Sequence, residues 1–230
     1  MLSLVRALVI GIVFAMMWTT PARADDFITG FAWITTETIA ASSTAATSAS
    51  LALGTCSHGT AACTPANADV SFTTTGIDLG HPSLASGTIA QFLASSAFPL
   101  NNLVDKSPST ALDPTIWEFI GNTQVTGTPG TPQSFTFQHD DGMTFVVNGQ
   151  MVVNAPGPTG PVLTTGSYTG GASTNAPFTL IYAECCGGSA VIATSLVGPG
   201  TAPPTPTVPE PASLLLVAVG MAGGLWWRKR

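Results

Sequence analysis

The chain has 230 residues, of which only 8% are charged, and its formal net charge is −6. Between Asp25 and Val208 a single cation, Lys106, stands against eleven carboxylates, which gives that part a net charge of −10. Because nothing there can neutralise phosphates, the composition argues against a nucleic-acid partner. An acidic surface of this kind favours the attraction of cations.

The first 24 residues have the pattern of a secretory signal peptide. Arg6 precedes an apolar run from Ala7 to Trp18, and an A-x-A pattern occupies residues 22–24. The alternative is an N-terminal membrane anchor, but a span needs about 20 apolar residues and this run is shorter. The sequence therefore predicts a signal peptide over residues 1–24, cut before Asp25.

Residues 25–198 are predicted to form one all-β domain. They are rich in Thr, Ser, Ala, Gly and Pro and poor in the Glu, Lys and Arg that solvated helices need. Short apolar or alternating runs lie between Gly, Pro and Asn turns, which indicates an antiparallel β-sandwich of the jelly-roll kind. The low-complexity segment 39–53 could be loop or strand. The predicted strands lie within residues 68–79, 88–94, 115–121, 134–138, 143–147, 150–153, 177–186 and 189–196.

The clearest local signal is the pair Asn148-Gly149, between the runs MTFVV and QMVV. Both residues tolerate the positive φ angles of a type I′ turn. The sequence therefore predicts a tight hairpin here.

Four cysteines allow three disulfide pairings, and an exported protein should have them oxidised. The segment CSHGTAAC is compact and suits a local Cys56–Cys63 disulfide. Zinc binding by Cys56, His58 and Cys63 is the alternative, but it lacks a fourth ligand. Cys185 and Cys186 are neighbours, and a bridge between them needs an unusual peptide geometry, so their state stays open.

Two adjacent aspartates, Asp140 and Asp141, lie between two strand-forming runs and raise two interpretations. They could cap a turn through bonds to backbone amides, with Gly142 taking an unusual φ. They could instead bind a ligand. His139 is expected to be an ordinary strand-end residue.

The pattern from Phe135 to Ser195 resembles a known β-sandwich. A phenylalanine-rich strand runs into Asp140-Asp141-Gly142, the Asn148-Gly149 hairpin follows, and a Tyr182-x-Glu184 strand ends in a glycine turn. This order resembles the domain shared by the anthrax protective-antigen segment, inserts of bacterial glycosidases and the yeast flocculin lectins.

The resemblance implies calcium and sugar binding. In the lectin members the aspartate pair chelates calcium, which in turn binds sugar hydroxyls, and this role carries over to Asp140 and Asp141 alone. Further oxygen ligands would have to come from the loop Asn154 to Leu163, with Asn154 itself a candidate, or from Ser167 to Asn175. A glycoside hydrolase would need two carboxylates across a cleft, for which Asp141 and Glu184 are the candidates. No nucleophile elbow, P-loop or H-E-x-x-H motif is present, so we expect no catalytic residues and no enzyme.

The last residues form a tripartite pattern. Pro209-Glu210-Pro211 is followed by an apolar run from Ser213 to Trp227 and then by Arg228–Arg230. Residues 209–230 resemble the PEP-CTERM sorting signal of Gram-negative bacteria, with a short transmembrane helix after a Pro/Thr/Gly linker at 199–208. The resemblance implies recognition by an exosortase, transient residence in the inner membrane, and delivery to the cell surface or extracellular matrix.

Together these features predict an exported, surface-sorted, non-enzymatic protein. It would bind glycans or act in the extracellular polysaccharide or biofilm matrix. The alternatives are a purely structural surface protein without a ligand and, less favoured, a glycoside hydrolase.

Overall fold

A computed structural model describes residues 27–41, 56–85 and 87–197. The expected signal peptide, the linker at 199–208 and the sorting segment 209–230 lie outside the described residues, as does most of the low-complexity segment. Neither of the helices in the described part is long and apolar enough to cross a membrane.

Strands dominate this domain, which also contains two short α-helices. In chain order the elements are β1 (Ile28–Ile34), α1 (Glu37–Ala40), a 3-10 turn (Pro65–Asn67), β2 (Val70–Thr74), β3 (Gly76–Ala85), α2 (Ile89–Ala94), β4 (Asn101–Asp105), β5 (Thr115–Gln124), β6 (Pro132–His139), β7 (Met143–Val147), β8 (Gln150–Ala155), β9 (Val162–Thr169), β10 (Asn175–Glu184) and β11 (Ser189–Val197).

The strands form two antiparallel sheets, which confirms the predicted β-sandwich. One sheet has the order β4-β2-β1-β5-β10-β7-β8 and the other the order β3-β11-β6-β9. Consecutive strands β6 and β7 belong to different sheets, so the chain crosses between the sheets at residues 140–142. The aspartate pair therefore lies at the rim, where the two sheets meet.

Aromatic side chains from both sheets fill the interior. Phe145 of β7 lies with its ring centroid 5.3 Å from that of Phe135 and 4.8 Å from that of Phe137, both on the opposite β6. Trp117 of β5 and Tyr182 of β10 are fully buried and both contact Phe92 of α2. Such pairs add packing energy to the burial of apolar area, and the contacts of Phe145 join the two sheets.

The Asn148-Gly149 hairpin is confirmed. Asn148 has a φ of 49° and Gly149 a φ of 78°, as the two central residues of a type I′ turn require. The turn joins β7 to β8 in an antiparallel pair.

The run at residues 88–94 was predicted as a strand, and this is wrong. It forms the helix α2, whose N-cap Thr88 exchanges side-chain and backbone hydrogen bonds with Gln91. Ile89, Phe92 and Leu93 are buried on one face, a helical spacing that a short apolar run shares with a strand. The capping box at Thr88 and Gln91 favours the helix over the strand.

A second, smaller core lies on the outer face of the seven-stranded sheet. Cys56 and Cys63 form the predicted disulfide, with Cα atoms 5.3 Å apart. The loop that they close covers Ile181 and Ala183 of β10, while Leu180 and Tyr182 face the main core. This two-sided burial explains why β10 is almost continuously apolar.

Candidate ligand-binding site

The aspartate pair lies in an open pocket at the rim of the sandwich. Asp140 and Asp141 are each 4% exposed and line a pocket of about 440 Å³. Two loops complete it, the β8–β9 loop and the β10–β11 loop. The other lining residues are Pro158, Thr159, Gly160, Pro161, Cys186, Gly187, Gly188 and Ser189.

Asp141 joins these loops through backbone amides. Its Oδ1 accepts a hydrogen bond from the Thr159 N–H at 3.2 Å, and its Oδ2 accepts one from the Cys185 N–H at 2.8 Å. Its own N–H donates to the Thr159 carbonyl oxygen at 2.9 Å. Backbone amides thus offset the negative charge of the Asp141 carboxylate. These amides belong to loops that are distant in the chain and not to a local turn.

The unusual backbone conformation falls on Asp141 and not on Gly142. Asp141 has a φ of 63°, whereas Gly142 is not among the residues with positive φ. The expectation that Gly142 would supply this conformation is wrong. Aspartate is among the residues other than glycine that adopt the left-handed region most readily, and here the amides of Thr159 and Cys185 hold its side chain.

The negative charge of Asp140 is offset by fewer hydrogen bonds than that of Asp141. Burial raises its pKa to about 6, repulsion by Asp141 adds to the rise, and a hydrogen bond with the Asp141 backbone opposes it. Burial also raises the pKa of Asp141, against the amides of Cys185 and Thr159, which lower it. A cation in the pocket would relieve the repulsion between the two carboxylates.

His139 is the last residue of β6, the strand-end position expected for it. Its ring is buried, with Nδ1 2.7 Å from the Asp141 carbonyl oxygen and Nε2 2.8 Å from Thr164 Oγ1. Because a carbonyl oxygen only accepts, Nδ1 carries the proton and Nε2 accepts from the threonine hydroxyl. Burial lowers the pKa of His139, which favours the neutral ring. The hydrogen bond from Nδ1 then holds the backbone carbonyl of Asp141 in place.

Glu184 is the last residue of β10, is fully buried and is not among the residues that line the pocket. Burial raises its pKa to about 9, and the carboxylates of Asp141, Asp140 and Asp113 raise it further, while the hydrogen bond from the Tyr182 hydroxyl lowers it. Its Oε1 has no hydrogen-bond partner among the described residues. A polysaccharide could not reach this carboxyl, so Asp141 and Glu184 do not form the exposed pair that glycoside hydrolysis needs.

The β10–β11 loop contains a second disulfide and donates backbone hydrogen bonds to two further carboxylates. Cys185 and Cys186 form a disulfide, which answers the question left open for these cysteines. The Cys186 N–H donates to Glu37 Oε1 and the Gly187 N–H to Asp113 Oδ2, each at 2.7 Å. Glu37 and Asp113 are far from the aspartate pair in the chain, and no local motif could have linked them to it.

Asn154 is brought to the same rim but not into the pocket. It is exposed on β8, opposite Thr144. Among the described residues that line the pocket, the β8–β9 loop contributes Pro158 to Pro161, and none comes from Ser167 to Asn175. A role for Asn154 would require a ligand that extends beyond the pocket.

The pocket residues fit a hard cation such as calcium. Two adjacent carboxylates supply charge, and a carboxylate oxygen that accepts one amide hydrogen bond retains further acceptor capacity. Lys106 is the sole Lys or Arg within the described ranges, and its Nζ donates to the Ala68 carbonyl oxygen. Ligand atoms of Glu37, Cys185 and Cys186 also lie within 4.8 Å of one another, but disulfide sulfurs are not the thiolates that metals prefer.

Residues 207–230 match the PEP-CTERM protein-sorting motif. The motif implies export and sorting of a membrane-anchored precursor. A search of curated proteins found no match.

Two solved structures have a similar fold. The PA14 domain of the MpAFP antifreeze protein is 18% identical, with a TM-score of 0.53 over 80% of this chain and 88% of that one. A PA14 sugar-binding domain from an RTX adhesin is 21% identical, with a TM-score of 0.50 over 74% of this chain and 89% of that one. The described domain therefore has a fold similar to that of PA14 domains.

Proposed function

We propose that this protein is a non-enzymatic, surface-sorted glycan binder whose ligand site is the pocket at Asp140 and Asp141. The observation that carries the proposal is the position of Asp140, a buried carboxylate beside a second carboxylate in an open pocket. No cationic side chain of the described residues offsets the pair. A sugar-binding domain of similar fold supports the ligand class.

Calcium is the proposed cofactor, held by Asp140 and Asp141 with loop oxygens as further ligands. When bound, it would supply positive charge and coordination positions for sugar hydroxyls. The protein's own part is to hold the carboxylates in place. The amides of Thr159 and Cys185 hold the carboxylate of Asp141, and the ring of His139 holds its backbone carbonyl.

The proposed cellular context follows from the sorting motif. We expect a signal peptide at 1–24, the sandwich domain at 25–198, a linker at 199–208 and the sorting signal at 209–230, including a short membrane helix. An exosortase would process the precursor in the inner membrane of a Gram-negative bacterium. The glycan partner would then be extracellular polysaccharide of the cell surface or biofilm matrix.

Calcium titration tests the metal part of the proposal. The unfolding free energy of the wild type should rise with the logarithm of free calcium, by about 2.7 kcal/mol at one hundred times the dissociation constant. The double variant Asp140→Asn, Asp141→Asn should lose this gain. The variant Asp78→Asn, Asp105→Asn removes the same charge outside the pocket and should keep it. A wild-type melting temperature that neither millimolar calcium nor a chelator moves would contradict the calcium site.

A glycan array, run with and without calcium, tests the ligand class. We expect calcium-dependent retention of the wild type and of the Asp78→Asn, Asp105→Asn control, and no retention of the Asp140→Asn, Asp141→Asn variant. Absence of retention throughout would favour the alternative, a structural surface protein in which Asp141 only fastens loops. Turnover on the same glycans would instead indicate a hydrolase.

A further inference from the structure

The β10–β11 loop presents three consecutive backbone amides to three carboxylates from different parts of the chain. The N–H groups of Cys185, Cys186 and Gly187 donate to Asp141, Glu37 and Asp113 at 2.8, 2.7 and 2.7 Å. Glu37 begins α1, Asp113 precedes β5 and Asp141 precedes β7. A single short loop thus fastens three separate segments at the rim.

These contacts matter because the carboxylates repel one another. Burial raises the pKa of Glu37, a hydrogen bond and repulsion from Asp113 raise it further, and the Cys186 amide opposes the rise. Backbone N–H groups turned toward one side of a loop form a concave anion site, which offsets such repulsion without a cationic side chain. The three amides of the loop therefore offset part of the repulsion among the carboxylates of Asp141, Glu37 and Asp113.

The Cys185–Cys186 disulfide lies within this loop. Cys186 has a φ of 69°, Gly187 of 71° and Gly188 of 114°. Positive φ is uncommon for a residue that is not glycine, and the disulfide closes a ring across the peptide bond that joins Cys185 to Cys186. The ring restricts the backbone dihedrals between the first two of the three donating amides, so it limits the directions in which these two N–H groups can point.

We infer that the Cys185–Cys186 disulfide is a redox-sensitive positioning group of the pocket: it holds the three amides on Asp141, Glu37 and Asp113, and its reduction weakens cation binding at Asp140 and Asp141. The second half of this inference rests on the proposed function. A dithiol would reduce the bridge by breaking the Sγ–Sγ bond. The disulfide takes up two electrons and two protons to give two thiols, and the dithiol becomes its own disulfide.

The test uses the full chain and compares its oxidised and dithiol-reduced forms. We expect amide hydrogen exchange at residues 185–187 to rise about tenfold or more on reduction. Calcium affinity, measured by calorimetry, should fall about tenfold to a hundredfold, the range seen when groups that orient metal ligands are lost. Both changes should reverse on reoxidation.

Two variants separate this disulfide from the other one. In Cys56→Ala, Cys63→Ala only the Cys185–Cys186 bridge is reducible, and it should respond as the wild type does. In Cys185→Ala, Cys186→Ala the affinity should already be low, and reductant should change neither readout. If either variant does not fold, alkylation mapping of partly reduced wild type shows which bridge must open before calcium affinity falls.

The outcomes distinguish the inference from the function on which it rests. Complete reduction with unchanged calcium affinity overturns the inference and leaves the proposed function standing. Unchanged exchange at residues 185–187 also overturns it. If the oxidised wild type binds no calcium, the proposed cofactor fails, and hydrogen exchange alone then decides whether the disulfide positions the amides.

Discussion

Glu184 shows how a single buried carboxyl can make stability depend on pH. Its side chain is fully buried, and its pKa of about 9 lies far above the ordinary value of 4.5. The folded protein therefore keeps a proton that the unfolded chain releases above the ordinary pKa. Stability from this group is greatest at low pH and is lost as the pH rises toward 9.

We expect Glu184→Gln to reduce this pH dependence. Glutamine cannot ionise and still offers an oxygen to the Tyr182 hydroxyl. The wild type should lose up to about 1.4 kcal/mol of unfolding free energy per pH unit between the two pKa values, and the variant should lose much less. Because Asp140 titrates near pH 6, urea unfolding should be compared between pH 6 and pH 9. Equal slopes for the two proteins would contradict the assignment of this proton to Glu184.

At the scale of elements, the loop closed by Cys56 and Cys63 acts as a cover for one face of a sheet. It belongs to a small core with Trp33, Ile116 and Ile181. The Trp33 indole N–H donates to the Thr64 carbonyl oxygen at 3.0 Å and to Asn67 Oδ1 at 2.9 Å. These bonds join residues 64–67, which directly follow the loop, to β1, and within the loop the His58 N–H donates to the Ile34 carbonyl oxygen at 2.6 Å.

Cys56→Ala, Cys63→Ala should lower the unfolding free energy by about 2–3 kcal/mol. Closing so short a loop removes about this much chain entropy from the unfolded state. Denaturant titration of the variant and of wild type, both with the Cys185–Cys186 bridge intact, measures the difference. A loss well below 1 kcal/mol would mean that the cover is held by packing alone, and non-reducing peptide mapping would verify the Cys56–Cys63 link directly.

The helix α2 illustrates how an element can be misassigned from a short apolar run. Residues 88–94 contain too few turns for periodicity to separate a helix from a strand. Phe92 packs on Trp117 of β5 and on Tyr182 of β10, so tertiary contacts and the Thr88 cap stabilise the helix together.

At the scale of the whole molecule, the chain combines a PA14-like sandwich with a C-terminal sorting motif. We expect the surface form to have lost residues 1–24 and most of Ser213–Arg230. Deletion of Arg228–Arg230 should leave the precursor mislocalised, because the basic cluster completes the motif. Mass spectrometry of secreted and membrane fractions tests both expectations.

A matched deletion serves as the control for sorting. Removing three residues of the linker, Thr201–Pro203, shortens the chain equally and should leave sorting unchanged. An intact Trp226-Trp227-Arg228-Lys229-Arg230 end on mature surface protein would contradict processing at the motif.

The sequence by itself determined the features that depend on local or compositional signals. The all-β class follows from alternation and turn residues, the hairpin from Asn148-Gly149, and the disulfide from the short spacing of Cys56 and Cys63. The sorting motif could be read because its three parts are contiguous. Each of these features is encoded within a few residues, so no knowledge of distant contacts was needed.

Only the tertiary structure decided how the aspartate pair is held. The amides of Thr159 and Cys185 offset the charge of the Asp141 carboxylate. They approach it because the β8–β9 and β10–β11 loops lie at the same rim. Glu37 and Asp113 accept hydrogen bonds from the same β10–β11 loop. Glu37 lies more than a hundred residues before Cys186, its donor, in the chain. Sheet pairing creates these contacts, and sequence spacing carries no signal for them. For the same reason the sequence offers Glu184 as a candidate partner of Asp141, whereas the fold buries it completely and raises its pKa.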